Sequence, residues 1–229
     1  MNDDPDIDFS LLPGICTALT PQKKNPNRYS VFVDDQFLCG AEAKAIRECK
    51  LEKGTELNET LIRQLLKLDE RLRLNLQCYR WLARRAHSCK ELRDKALRKN
   101  YTGEIISEVL AELESDGWID DRTFAQDFAE TQFKRKQWGP SKIRSALQQK
   151  GIPDPLIYKA VEQLDDESQL DSLLILIRKN RGKLQREADL QKRKHKLVDL
   201  LRRKGYHPDV IFRHIDTLTQ HLSDETTDI

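Results

Sequence analysis

The strongest constraint on the fold of this chain is a recurring, ungapped pattern of apolar positions with one lysine held among them. Leu92, Ala96, Lys99, Tyr101, Ile105, Ile106, Val109, Leu110 and Leu113 are matched 51 residues on by Ile143, Leu147, Lys150, Ile152, Leu156, Ile157, Ala160, Val161 and Leu164. A looser third copy follows as Leu197, Leu201, Lys204, Tyr206, Val210, Ile211, His214, Ile215 and Leu218, where His214 alone breaks the apolar pattern. Core residues at matching offsets mark a repeated supersecondary unit. In each copy a helix stops at Lys99-Asn100, Lys150-Gly151 or Lys204-Gly205, where Asn or Gly can take the left-handed conformation that closes a helix. A second helix starts at once from Thr102, Pro153 or Pro208, residues suited to a first turn.

A further helix precedes each pair: Leu72, Leu76, Tyr79 and Ala83 in the first copy, Phe124, Phe128, Ala129 and Phe133 in the second, Leu170, Leu173, Leu174 and Ile177 in the third. Every repeat is therefore three helices. The first of them continues backward, because no Gly or Pro falls between Asn58 and Gly103 and Leu61, Leu65, Leu68 and Leu72 keep helical spacing; a break or bend is expected near Asp69. The opening of the chain reads differently. Ile15 to Leu19, Arg28 to Val33 and Gln36 to Cys39 are strand-like, with a turn at Asp34-Asp35-Gln36 and a short helix from Ala41 to Lys50. The fold class expected is mainly α: three tandem three-helix repeats in an extended curved array, preceded by a small α+β N-terminal domain with a β-hairpin. The boundaries expected are a disordered acidic start over 1–10, the N-terminal domain over 11–68, repeats over 69–117, 118–165 and 166–222, and a frayed tail over 223–229.

The formal net charge of +2 conceals blocks of opposite sign. Arg71 to Asn100 is basic apart from Glu91 and Asp94, Glu104 to Asp121 holds no base, Lys134 to Lys150 holds no acid, Asp154 to Asp171 holds only Lys159, and Arg178 to Lys204 is strongly basic again. Arg84-Arg85, Lys134-Arg135-Lys136 and Arg202-Arg203-Lys204 recur at equivalent places, a pattern that attracts phosphate or an acidic protein surface. Against this stands the plain reading of a charge run as a solvated helix face.

No constellation for catalysis, a cofactor or a metal emerges. Walker A, GxGxxG, GxSxG and HExxH sequences are absent. Asp120 sits where a helix needs an N-cap and Asp121 in its first turn, which accounts for them better than an acid cluster with Asp116. His207, His214 and His221 share a helical face at a spacing too wide for a metal, and His87 beside Cys89 lacks an orienting partner for nucleophilic chemistry. Trp118 and Trp138 read as packing residues between repeats rather than base-stacking platforms. Five widely spaced cysteines without a CxxC point to reduced thiols. With no apolar run of membrane-spanning length and no secretory start, the expected location is the cytoplasm. The expectation is a protein that is not an enzyme, takes no cofactor or metal and is monomeric.

One segment is more specific. Gly117-Trp118-Ile119-Asp120-Asp121-Arg122-Thr123-Phe124-Ala125, followed by Trp138-Gly139-Pro140-Ser141-Lys142-Ile143 and Leu147-Gln148-Gln149-Lys150-Gly151-Ile152, resembles the signature of the bacterial RecX family of regulatory proteins. Leu82 to Ser88 with Glu91-Leu92-Arg93 resembles the first three-helix unit of that family, Lys204-Gly205-Tyr206 the third, and the N-terminal strands the extra domain of longer members. The resemblance implies a non-enzymatic modulator of the RecA recombinase. Such a protein binds the RecA filament on single-stranded DNA and suppresses strand exchange, ATP hydrolysis and coprotease activity, and so acts in DNA repair, recombination and the SOS response. Direct DNA binding would be weak and indifferent to sequence. The contact residues expected are Arg84, Arg85, Lys90, Arg93, Lys142, Arg144, Lys150, Arg202, Arg203 and Lys204.

The rival reading is a helix-turn-helix-like transcription regulator that recognises a DNA sequence. A recognition helix needs basic or amide side chains, whereas the last helices of the first two repeats carry Glu104, Glu108 and Glu112 or Asp154 and Glu162. The array reading is open to a direct test of shape. Repeats that touch only their neighbours are expected to give, in small-angle scattering from the monomer, a radius of gyration clearly above the roughly 17 Å of a compact chain of this length.

Overall fold

A computed structural model describes residues 7–223. Most of the acidic start and the tail expected to be disordered lies outside the described residues. The chain divides into two compact units between Ile119 and Asp120.

In the first unit, Phe9–Leu11 form a short 3-10 helix capped by Asp8, whose carboxylate accepts from the Ser10 backbone N–H at 2.9 Å and the Ser10 hydroxyl at 2.6 Å. Disorder was expected through residue 10. Ile7, Phe9, Leu11 and Leu12 instead pack on the domain core, an apolar alternation that the acidic composition obscures. Three strands follow, β1 (Gly14–Gln22), β2 (Asn25–Val33) and β3 (Gln36–Glu42), with a two-residue β4 (Glu56–Leu57) on the far side. The antiparallel sheet runs β3-β2-β1-β4. Asp34 and Asp35 both have positive φ, 46° and 66°, as a tight hairpin turn of matching twist requires. The short helix α1 occupies Ala43–Glu48. Two residues carry no period, so β4 leaves no trace in the sequence.

Helix α2 runs unbroken from Glu59 to Leu82, started by Asn58, whose side chain accepts from the Leu61 N–H at 2.9 Å. The break expected near Asp69 does not occur. Asp69 is only 1% exposed. Its carboxylate accepts both contacts of the Arg28 guanidinium at 2.9 and 3.1 Å and the Glu42 N–H at 2.7 Å, with Arg73 Nε at 3.0 Å. The helix changes partners here without interruption. Its first half (Ile62, Leu65) belongs to the core under the sheet, and its second (Leu74, Cys78, Trp81) to the core of the first repeat. That repeat is completed by α3 (Cys89–Leu97) and α4 (Gly103–Ser115), with Ser88 and Glu91 forming a capping box ahead of α3.

The second unit holds two further repeats, each with its own core. One comprises α5 (Asp121–Lys136), α6 (Pro140–Gln149) and α7 (Asp154–Glu162); the other α8 (Asp166–Gln185), α9 (Leu190–Lys204), α10 (Pro208–Arg213) and α11 (Ile215–Ser223). The last helix of the third repeat is thus interrupted at His214, the position that breaks the apolar pattern. The basic stretch from Arg178 to Lys204 is mostly helical, since α8 extends to Gln185 and Asp189 caps α9.

The middle helix of every repeat ends in the same way. Asn100, Gly151 and Gly205 have φ of 61°, 76° and 91°. The N–H of the next residue then bonds back: Tyr101 to Ala96 O at 3.3 Å, Ile152 to Leu147 O at 3.1 Å and Tyr206 to Leu201 O at 3.2 Å. This left-handed closure turns the chain and drops Tyr101, Ile152 or Tyr206 onto the repeat core. Burial pushes the Tyr206 hydroxyl up to about 12, and it donates to Ser172 Oγ at 2.6 Å.

Gly205 has a second task. The Gly139 N–H donates to Lys204 O at 2.7 Å and the Ser141 N–H to Gly205 O at 3.0 Å, so the start of α6 rests on the end of α9. A Cβ on Gly205 would lie 2.4 Å from Lys142 Cβ, and one on Gly139 2.5 Å from the Gly205 carbonyl. The second and third repeats therefore dock through two glycines whose backbones approach too closely for any side chain. Gly117, also at positive φ (76°), faces open space. Gly117→Ala is accordingly expected to cost about 1–2 kcal/mol from strain alone, and Gly205→Ala about 3 kcal/mol or more from strain plus overpacking. Urea denaturation followed by circular dichroism would check the difference.

Candidate nucleic-acid interface

The basic residues singled out in the sequence occupy the joints and middle helices of the repeats. In the first repeat Arg84 is exposed at the end of α2 and has no side-chain partner among the described residues. Arg85 is not free: its guanidinium donates to both carboxylate oxygens of Glu91, at 3.0 and 3.2 Å, and to Ala86 O at 2.7 Å. Nearby acids thus neutralise part of these clusters: the capping-box glutamate reaches back to Arg85, and Glu130 pairs with Lys134 of the second cluster. Lys90 is exposed on α3, and Arg93, half-buried, donates to Ser107 Oγ at 3.2 Å.

His87 lies beneath this group, 3% exposed. Its Nδ1 is 2.9 Å from Arg85 O and its Nε2 2.5 Å from Lys95 Nζ. With Nδ1–H donating to the carbonyl, Nε2 offers its lone pair to the ammonium, so both ring nitrogens are engaged and Cys89 gains no base. Burial holds the imidazole below its ordinary range, and the neighbouring Arg85 and Lys95 charges add to this. Lys95 is itself lowered, chiefly by burial and then by Arg85.

In the second repeat Arg144 is exposed on α6 without a partner among the described residues. Lys150 is half-buried, its ammonium 5.6 and 5.3 Å from the ring centroids of Phe124 and Phe128. Lys142, also half-buried, lies 4.8 Å from the Trp138 centroid and reaches Arg203 O at 3.5 Å. In the third, Arg202 and Arg203 are exposed and unpaired among the described residues, whereas Lys204 donates to Lys136 O at 2.9 Å. The structure thus brings Lys142 together with Arg203 and Lys204 at the joint of the second and third repeats. Arg144 is two residues from Lys142 and points to another face of α6.

Sequence reasoning missed two members of that joint. Lys136 Nζ lies 5.0 Å from the Trp138 centroid, and Lys179 Nζ donates to Gln137 Oε1 at 2.8 Å. Both sat in basic stretches already noted, Lys136 in the Lys134-Arg135-Lys136 run and Lys179 in the block from Arg178 to Lys204, but nothing local placed Lys179, on a different helix, beside Gln137. The tryptophans also divide. Trp138 is half-buried among lysines, whereas Trp118 is 57% exposed and stands edge-to-face with Tyr79, with ring centroids 5.1 Å apart.

The acidic faces are engaged as well. On α4, Glu104 and Glu108 lie 2.6 and 3.0 Å from Lys67 Nζ, and Glu112 2.9 Å from Arg71. Asp120 caps α5, accepting from Arg122 N and Thr123 Oγ1, and the Thr123 hydrogen bond lowers its carboxyl most. His214 Nε2 and Arg213 share Asp166, at 3.2 and 2.8 Å. Among the described residues no group of His, Cys, Asp and Glu could hold a metal, and no helix is long and apolar enough to cross a membrane.

Family models place these elements. The RecX N-terminal domain matches residues 14–58, and the first, second and third three-helix domains of RecX match 76–113, 120–161 and 166–215. A regulatory protein RecX of Bacillus cytotoxicus is 30% identical over 215 residues, covering 92% of this chain and 79% of the relative. The chain belongs to the RecX family. The RecX protein of Bacillus mycoides is 29% identical over the same length. Two solved RecX structures share the fold: one, of a regulatory protein RecX, has a TM-score of 0.71 at 23% identity and covers 89% of this chain and 99% of its own; the other, from Lactobacillus salivarius, has a TM-score of 0.59 at 24% identity and covers 68% and 97%. The family is one of regulators rather than enzymes. Within the RecX pattern, the Lys204-Gly205-Tyr206 segment is the docking and closure point of the third repeat.

His87 provides a pH test of the first repeat. Its depressed folded pKa means that the unfolded chain binds the extra proton first, so stability is present above the unfolded value of about 6.5 and declines as pH falls below it. Urea midpoints are expected to drop between pH 7 and pH 5.5, and His87→Gln to flatten that dependence.

Proposed function

We propose that the chain is a non-enzymatic regulator that binds RecA filaments on single-stranded DNA and modulates, chiefly by inhibition, their recombinase, ATPase and coprotease activities. Family membership brings the recombinase to this reading. The observation that carries the interaction is that unpaired, exposed guanidinium groups occur on all three repeats: Arg84 on the first, Arg144 on the second, Arg202 and Arg203 on the third. A filament repeats its DNA phosphates and protein surfaces at regular intervals. Several weak contacts on one chain then add as intramolecular events and reach an affinity none has alone. In this reading the full contact set is Arg84, Arg85, Lys90, Arg93, Lys142, Arg144, Lys150, Arg202, Arg203 and Lys204, the protein acts as a monomer, and DNA alone is bound weakly.

The helix-turn-helix alternative is disfavoured by α4, whose glutamates are held by Lys67 and Arg71 of α2, leaving no basic face to enter a major groove. Arg144, Arg202 and Arg203 are the best residues to alter, since Lys142, Lys150 and Lys204 are half-buried. Changing the three arginines to Glu is expected to weaken cosedimentation with RecA–single-stranded DNA filaments at least roughly tenfold, because each lost charge contact also reduces the avidity of the rest. The melting temperature is expected to change little. Unaltered cosedimentation, together with tight binding to one duplex sequence, would replace the filament reading with the transcriptional one.

A further inference from the structure

The joint between the second and third repeats gathers four lysines from four helices: Lys136 at the end of α5, Lys142 in α6, Lys179 in α8 and Lys204 at the end of α9. No ion pair joins any of them to a carboxylate among the described residues. Each is held in place. Lys142 and Lys136 lie 4.8 and 5.0 Å from the centroid of the same Trp138 ring. Lys204 donates to Lys136 O at 2.9 Å, Lys142 to Arg203 O at 3.5 Å and Lys179 to Gln137 Oε1 at 2.8 Å. Gln137 is in turn 4% exposed, has φ of 49° and donates through Nε2 to Lys134 O at 2.7 Å.

An ammonium has three donors, and these anchors use one on each of Lys142, Lys179 and Lys204. The remaining N–H groups are oriented and have no carboxylate partner among the described residues. The cost of the arrangement is visible at Lys204, whose pKa is lowered by burial and then by the Lys142 and Lys179 charges. A folded protein that brings like charges together without a counter-ion is built to receive one.

We propose that this cluster binds the phosphodiester backbone of single-stranded nucleic acid across the joint of the second and third repeats, with Trp138 positioning two of the four ammonium groups. Lysines are strongly hydrated point charges that suit phosphate, while the core of a protein–protein interface is depleted of them and needs apolar anchors. The exposed Arg202 and Arg203 next to Lys204 extend the path along which a strand could run. The choice of a single strand rests on the proposed function; the phosphate chemistry does not.

The test uses the full chain and fluorescein-labelled (dT)15, with anisotropy measured across a series of NaCl concentrations. Lys136→Gln with Lys179→Gln is expected to weaken binding about fivefold or more and to make the log–log salt slope shallower by about 1.4, the loss of two single-strand phosphate contacts. Trp138→Ala is expected to reproduce part of both effects and Trp138→Phe to restore them, because a phenyl ring still holds the ammonium groups. The single variants carry the comparison if the double variant melts early. Unchanged affinity and slope in the lysine variants, or competition by poly-L-glutamate as effective as by unlabelled (dT)15 at equal charge, would overturn the site. Cosedimentation of the wild-type chain with RecA filaments is run alongside. Unchanged (dT)15 binding in the lysine variants, with filament binding of the wild-type chain intact, overturns this site and leaves the proposed function standing. Lysine-dependent (dT)15 binding without any filament binding supports the site and overturns the proposed function.

Discussion

Each three-helix repeat depends on a single backbone conformation, the left-handed residue that ends its middle helix. Without it the helix would run on, and the following residue could not turn back into the core. The closure works because the N–H that would otherwise lack a partner bonds to a carbonyl five residues earlier, so the turn costs no buried hydrogen bond. The same device stands at Asn100, Gly151 and Gly205. At Gly205 it also serves packing between repeats, which is why that position tolerates no side chain at all.

Asp69 performs a comparable task in the first unit by different means. A carboxylate at 1% exposure in mid-helix would ordinarily oppose folding, but Arg28, Arg73 and the Glu42 N–H surround it. Arg28 also donates to Gly40 O at 2.8 Å, so the same pair holds the sheet edge to the helix. One continuous helix can then serve two cores, and the sheet is tied to the first repeat through α2.

The charge blocks that dominate the sequence have two fates. Where a basic and an acidic face meet across helices, as between α2 and α4, the charges cancel and support packing. At the joint of the second and third repeats, by contrast, no ion pair joins Lys136, Lys142, Lys179 or Lys204 to a carboxylate among the described residues, and Arg202 and Arg203 are exposed beside them. Exposed ion pairs contribute little to stability. The surplus bases therefore matter chiefly for what the surface attracts.

Periodicity and punctuation were legible in the sequence because both are local. A 3.6-residue apolar spacing, a Gly or Asn after a lysine, and an Asp or Pro at a helix start act through neighbouring residues, so three repeats, their order and their caps could be read directly. So could the hairpin at Asp34-Asp35. The tertiary structure was needed wherever the partner is distant in the chain. The pairing of Asp69 with Arg28 turned an expected break into a continuous helix, and packing of Ile7 and Phe9 on a core ordered residues that composition had assigned to disorder. Among the candidate contacts, exposure of Arg144 follows from its helix position, but neutralisation of Arg85 and convergence of Lys142, Lys179 and Lys204 do not. Local rules specify which face of a helix is apolar; which charges meet depends on how helices far apart in sequence are brought together, and here that is set by two glycine backbones in contact.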